Sequence, residues 1–209
     1  LQEVPSEDIT RRLAGDLGMQ AVFAVGGKRT AYGGAVLWHG FEAEIEDLTQ
    51  IRGGPAFERM CLVLRSTGPE GLTIVNVHLS SNRFAADGDG DTVRLSELET
   101  LFAACPMPDV VVGDFNADPN SDEIRFMTGR HSIDDRRVLF YDAWEVAGDG
   151  GPGITWSNRN DYARSSLEPD RRIDYIFAGY PLANGSGRLE TCRVVCDDEV
   201  SGVWPTDHF

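Results

Sequence analysis

Apolar positions along the chain recur in two periods, and each period predicts a different element. Ile9, Leu13 and Leu17 fall at helical spacing behind Pro5-Ser6-Glu7-Asp8. Ser6 suits an N-cap there, the acids suit a first turn and Gly18 suits the stop. Gln20 to Val25 and Ala35 to Trp38 read as strands separated by a glycine-rich turn, in which Gly33-Gly34 is a turn or a phosphate cradle. Met60 to Leu64 and Leu72 to Leu79 form a further pair of strands. Ile74, Asn76 and His78 alternate there with Val75, Val77 and Leu79, so that two polar side chains end an otherwise apolar face. Asp91 is expected to cap a helix with Leu95, Leu98, Leu101 and Phe102 on its buried side, and Arg94 near its start suits either surface or site. Val110, Val111 and Val112 predict a strand buried on both faces, stopped by Gly113. Ser121 opens a short helix through Met127. Residues 171–177 alternate as a strand with Asp174 on its polar side, and Asn184-Gly185 reads as a hairpin turn. No repeat or second patterned region appears, so the expectation is one domain over residues 1–209.

The strands share a feature that periodicity does not require: they finish in polar residues. Asp114 and Asn116 follow the valine run at i and i+2, and an extended backbone would point both the same way. Glu3, Asn76, His78, Asp174, Asp207 and His208 stand at the other apolar ends. Strand termini along one rim of a sheet are where α/β proteins place their sites. Carboxylates without cysteine favour Mg²⁺ or Mn²⁺ over zinc, and histidines beside them suit acid–base work or phosphate contact. Each signal alone is equally a satisfied core group or a turn, and a carboxylate in a strand rich in Ile, Tyr and Phe is costly unless paired.

Charge narrows the substrate. The chain carries 34 acidic and 19 basic residues, a net charge of −15, with Lys28 as its only lysine. That balance disfavours sequence-blind binding to long nucleic acid without excluding a local basic groove. No stretch reaches the roughly 20 apolar residues of a membrane span. The opening Leu1-Gln2-Glu3-Val4 reads as the end of a buried strand, so the chain is expected to begin inside a domain. Cys61, Cys105, Cys192 and Cys196 match no zinc spacing. On one strand face Cys192 and Cys196 would stand about 13 Å apart, too far for a disulfide, and all four are expected in core or strand positions. Asp87-Gly88-Asp89-Gly90-Asp91 opens like a calcium loop, but Thr92 and Leu98 stand where that loop needs glycine and glutamate.

Taken in order, Leu1-Gln2-Glu3-Val4, Asn76-Val77-His78-Leu79, Gly113-Asp114-Phe115-Asn116-Ala117, Arg172-Ile173-Asp174-Tyr175-Ile176 and Thr206-Asp207-His208-Phe209 resemble the motif set of the endonuclease/exonuclease/phosphatase superfamily, the DNase-I-like hydrolases. Tyr32-Gly33-Gly34-Ala35-Val36-Leu37 and Thr155-Trp156 match more weakly. The resemblance implies an α+β fold, a four-layer α/β/β/α sandwich of two packed mixed sheets flanked by helices. It also implies that the fold's first strand, with its asparagine, and its last strand are missing here. By the same resemblance Glu3 and Asp207 are metal-site acids holding Mg²⁺ or Mn²⁺, and His78 contacts the scissile phosphate. Asp114 and Asn116 position nucleophile and phosphate, and Asp174 orients His208. The expected activity is metal-dependent phosphoester hydrolysis, with Asp114 or the Asp174–His208 pair as the base. The substrate is a small phosphodiester, a lipid headgroup or a nucleic acid. The rival expectations are a binding module that keeps the fold without turnover and a calcium-stabilised interaction domain.

Overall fold

The computed structural model describes residues 1–51, 54–68, 71–82 and 90–209, with residues 54 and 55 as backbone only. Its contacts divide the chain into two compact units, Leu1–Asn116 and Ala117–Phe209.

In the first unit, α1 (Glu7–Leu17) begins where the sequence places it. Ser6 is the N-cap, its hydroxyl accepting from Ile9 N, and Gly18 ends the helix in the left-handed region. The helix buries Thr10 and Ala14 and leaves Ile9 and Leu17 exposed, so its apolar spacing marks the helix without marking the buried face. Strands β1 (Gln20–Ala24) and β2 (Gly34–Trp38) pair antiparallel. Next come β3 (Ala43–Asp47), the small ladder of β4 (Gln50–Ile51) and β5 (Gly54–Pro55), β6 (Met60–Ser66), β7 (Thr73–His78), α2 (Gly90–Ala104) and β8 (Val110–Asp114). β3 pairs antiparallel with β6 and β6 with β7, while β7 and β8 run parallel, which makes this sheet mixed. Ala24 and Val36 of the β1–β2 pair pack on Met60, Leu62 and Ile45 of the mixed sheet. Each fully buried aliphatic side chain there contributes about 1.5–3 kcal/mol.

Helix α2 covers more than apolar surface. Arg94 and Glu97 are buried beside Leu98, Leu101 and Phe102, and Asp91, expected as a cap, lies inside the first turn. The Glu97 carboxylate accepts from Glu58 N at 2.8 Å and from Ser80 N at 2.9 Å. These bonds favour the charged form, but burial opposes it more strongly and pushes the carboxyl from 4.5 up to about 7. The folded chain thus holds this proton more tightly than the unfolded one. The stability gained from the group is full below about pH 4.5 and is lost as pH rises through about 7, by up to roughly 3 kcal/mol. Urea midpoints at pH 5 and pH 8 are expected to differ accordingly, with a flatter profile in Glu97→Gln.

The second unit holds α3 (Asp122–Met127), β9 (Tyr141–Asp142), α4 (Ala143–Ala147) and β10 (Asp174–Ala178). β9 and β10 pair antiparallel. Asp142 accepts from Trp144 N and Glu145 N as the cap of α4, and its other oxygen takes Arg172 Nη1 at 2.6 Å in a buried pair. Two short elements, β9 and α4, escape sequence periodicity because neither spans a full amphipathic repeat.

Two local expectations fail. Asn184-Gly185 forms a turn, but no strand flanks it. Cys192 and Cys196 lie in irregular chain, the second exposed, whereas Cys61 and Cys105 are buried; all four are free thiols. The calcium-like run starting at Asp87 lies largely outside the described residues. No helix among the described residues is long and apolar enough to cross a membrane.

Candidate active site

Within the first unit, the ends of β7 and β8 bring three of the expected residues together. His78 and Asp114 are register partners on the parallel ladder, and His78 Nε2 stands 3.1 Å from Asp114 Oδ2. Both side chains are almost wholly buried, a costly arrangement unless the groups satisfy each other. Asp114 is also a hub for the adjoining turn. Its Oδ1 accepts from Asn116 N at 2.7 Å and its Oδ2 from Asn116 Nδ2 at 3.1 Å. Asn116 sits at φ +50°, so the extended backbone expected between Asp114 and Asn116 is absent. The two side chains meet through a turn closed by the aspartate. Asn116 Nδ2 further donates to Leu79 O at 3.0 Å, which ties this turn to the residue after His78.

Glu3 reaches the same place from the start of the chain. It also has a positive φ, +53°, and its Oε1 lies 3.9 Å from His78 Nε2. Two non-glycine residues in left-handed backbone beside one histidine is the kind of strain that persists at functional positions. The Glu3 side chain is half exposed, with its carboxylate open to a ligand. Asn76 plays a different part. It accepts from Gln2 Nε2 at 2.6 Å and donates to the carbonyls of Leu1 and Ala35, so it anchors the segment that delivers Glu3.

Sequence reasoning missed Arg59. Its guanidinium is buried, contacts His78 Nε2, donates to Glu3 Oε1 at 3.3 Å and lies 4.5 Å from the centre of the Tyr32 ring. A charged pair before a strand, Glu58-Arg59, reads as solvated surface. The available signal was pairing: in this hairpin register Met60 faces His78, which brings Arg59 beside the histidine.

In the second unit, Asp174 Oδ2 accepts from His208 Nδ1 at 2.8 Å. With Nδ1 donating, Nε2 is the ring atom able to take a proton. Thr155 and Trp156 hold the pair in place. Thr155 Oγ1 accepts from Ile173 N and Asp174 N, Thr155 O accepts from Phe209 N at 2.7 Å, and the Trp156 ring meets His208 edge-on at 4.9 Å. The fully buried Asn160 donates to Thr206 O, and Thr206 Oγ1 accepts from His208 N, so the tail is pinned on both sides of Asp207. Asp207 accepts from Thr206 Oγ1 at 3.4 Å. The short Thr155-Trp156 motif thus acts by fixing the Asp174–His208 geometry.

A family model described as the endonuclease/exonuclease/phosphatase family matches residues 1–208. The chain belongs to this family. A comparison of the sequence with curated proteins returns no match. Solved structures agree on the fold. A functionally unknown conserved protein from Enterococcus faecalis is 18% identical, with a TM-score of 0.63, over 97% of this chain and 78% of that one. Truncated Caenorhabditis elegans TDP2 is 20% identical, with a TM-score of 0.62, over 100% of this chain and 79% of its own. The human nocturnin catalytic domain, solved with a bound sulfate anion, is 19% identical at a TM-score of 0.56, over 85% and 67%. The likeness establishes the endonuclease/exonuclease/phosphatase fold, an α+β arrangement of two mixed sheets flanked by helices.

Proposed function

We propose that the chain is a divalent-metal-dependent hydrolase of phosphoester bonds. The observation that carries this reading is the Asp174–His208 pair. A histidine oriented by a carboxylate at 2.8 Å is what proton transfer needs, and plain anion binding does not require it. Family membership across residues 1–208 supports reading the motifs of both units as parts of one reaction.

The donor set fits a hard cation. Glu3 offers a half-exposed carboxylate and Asp207 a second acid, with no thiolate in the set. Glu3 and Asp207 would hold Mg²⁺ or Mn²⁺, which when bound neutralises phosphate charge and the charge developing on the leaving oxygen. The remaining work falls to protein groups. His78 and Arg59 present buried donors for non-bridging oxygens, and the Asn116 amide holds the turn that aims Asp114. The proton of the attacking water goes to Asp114 or to His208 Nε2. The sulfate carried by the nocturnin domain is a tetrahedral oxyanion of the same shape as phosphate. The substrate is a phosphoester: a small phosphodiester, a lipid headgroup or a nucleic acid, with the net charge of −15 weighing against a long polyanion.

A panel of plasmid DNA, single-stranded RNA, sphingomyelin vesicles and a chromogenic phosphodiester tests the reading. Hydrolysis of at least one is expected in Mg²⁺ or Mn²⁺, with loss in EDTA and recovery on adding metal back. No hydrolysis of any of them leaves a binding module that keeps the fold, and hydrolysis indifferent to EDTA takes the divalent metal out of the reaction.

A further inference from the structure

Glu97 is buried, acidic and one helix away from the reacting groups, and no motif accounts for it. Its two oxygens accept from Glu58 N and Ser80 N. Those two residues have a defined relation to the β6–β7 hairpin. The last paired residues are Met60 and His78; continuing the register puts Arg59 opposite Leu79 and Glu58 opposite Ser80. Backbone pairing stops at that point. Between them the backbone groups of Arg59 and Leu79 face outward from the hairpin, as those of alternate residues of an antiparallel pair do: Arg59 O accepts from Gly27 N at 2.6 Å, and Leu79 N donates to Asp114 O at 2.9 Å. The Glu97 carboxylate stands between two backbone donors that a continued ladder would have used. Arg94, one turn earlier on the same helix, holds the other side of the Ser80 peptide by donating to Ser80 O at 3.1 Å. Arg59 comes directly after one of the two bridged residues, and His78 precedes the other by two.

We propose that Glu97 is a positioning residue, a side-chain rung that replaces the missing step of the ladder and fixes the spread between Arg59 and His78. The proposal rests on the phosphoester reading above, because it assigns these two side chains to one oxyanion. A carboxyl with two oxygens spans both amides, whereas a backbone rung would close the strands to ordinary sheet spacing. Losing it frees both strand ends by fractions of an ångström, and misplacement of about 1 Å costs on the order of a hundredfold in rate.

The test compares Glu97→Ala and Glu97→Gln with Leu98→Ala, a truncation of the buried neighbour on the same helix that donates and accepts no side-chain hydrogen bond. Turnover of a chromogenic phosphodiester is followed well below every Tm, together with amide hydrogen exchange at Glu58 and Ser80. Glu97→Ala is expected to lose about tenfold to a hundredfold in kcat and to unprotect both amides. Glu97→Gln, with one carbonyl acceptor left, should recover part of the rate, and Leu98→Ala should keep kcat within about threefold. Equal losses in Glu97→Ala and Leu98→Ala, or wild-type kcat in Glu97→Ala, overturn the assignment. A wild-type chain that cleaves no phosphoester removes the hydrolase reading separately. Inorganic phosphate binding is then the readout, expected to weaken about tenfold in Glu97→Ala alone. Unchanged affinity in that variant, or no phosphate binding by the wild type, overturns the proposal.

Discussion

Replacing His208 with alanine is expected to lower kcat on an activated phosphodiester by about 10²- to 10⁴-fold, the range set by loss of a positioned base. The imidazole has one ring nitrogen committed to Asp174 at 2.8 Å and the other chemically able to accept a proton. The side chain is partly exposed, and its packing partner is the edge of Trp156, so truncation removes little core. An intact Tm together with lost turnover therefore separates chemistry from folding. Asp174→Asn keeps the shape but turns the hydrogen-bond acceptor into a mixed group. It should cost about tenfold to a hundredfold, as outer partners of functional histidines do. Steady-state kinetics in saturating Mg²⁺ decide the matter. Turnover of His208→Ala within tenfold of wild type takes this histidine out of the reaction and leaves Asp114 as the base.

The candidate pairs were legible in the sequence because strand ends are legible. Val110 to Val112 mark a strand and the polar residues after them mark its rim end, although β8 runs on through Gly113 to Asp114 rather than stopping at the glycine. The same logic exposed His78 and Asp174. It failed for Arg59 and Glu97, for a shared physical reason. Both are charged residues whose burial depends on partners distant in sequence: Glu3 and His78 for one, the amides of Glu58 and Ser80 for the other. Periodicity sees only neighbours, so a charge on a helix between Leu95 and Leu98 is read as solvated face. The geometry of the Asp114–Asn116 turn was hidden too. Residue spacing predicted a shared face by strand alternation, while the actual meeting depends on a left-handed Asn116 that only the closed turn reveals. α1 shows the reverse case, in which helix and caps agree with the sequence but the buried side does not, because packing decides between nearly equivalent faces.

Gly113→Ala is expected to be the most damaging single-methyl change in the molecule, costing more than about 4 kcal/mol or preventing soluble folding. Two independent effects add. Gly113 has φ +135°, a conformation that L-residues with a Cβ essentially do not adopt. A Cβ built there would lie 1.9 Å from Val77 O and 2.9 Å from Val77 C. Both are backbone atoms of the paired parallel strand, in the rung that joins Val77 to Gly113. Backbone inside a sheet cannot move aside as a side-chain tip can, so the ladder must open, and the next rung is His78 to Asp114. The strain would be relieved at the residues that hold the 3.1 Å contact between imidazole and carboxylate. Equilibrium urea unfolding gives the stability. If the variant folds, turnover is expected to fall further than the loss of folded fraction explains. A urea midpoint equal to wild type would mean that the close approach of β7 and β8 at this glycine does not exist in solution, and the shared rim for His78 and Asp114 would go with it.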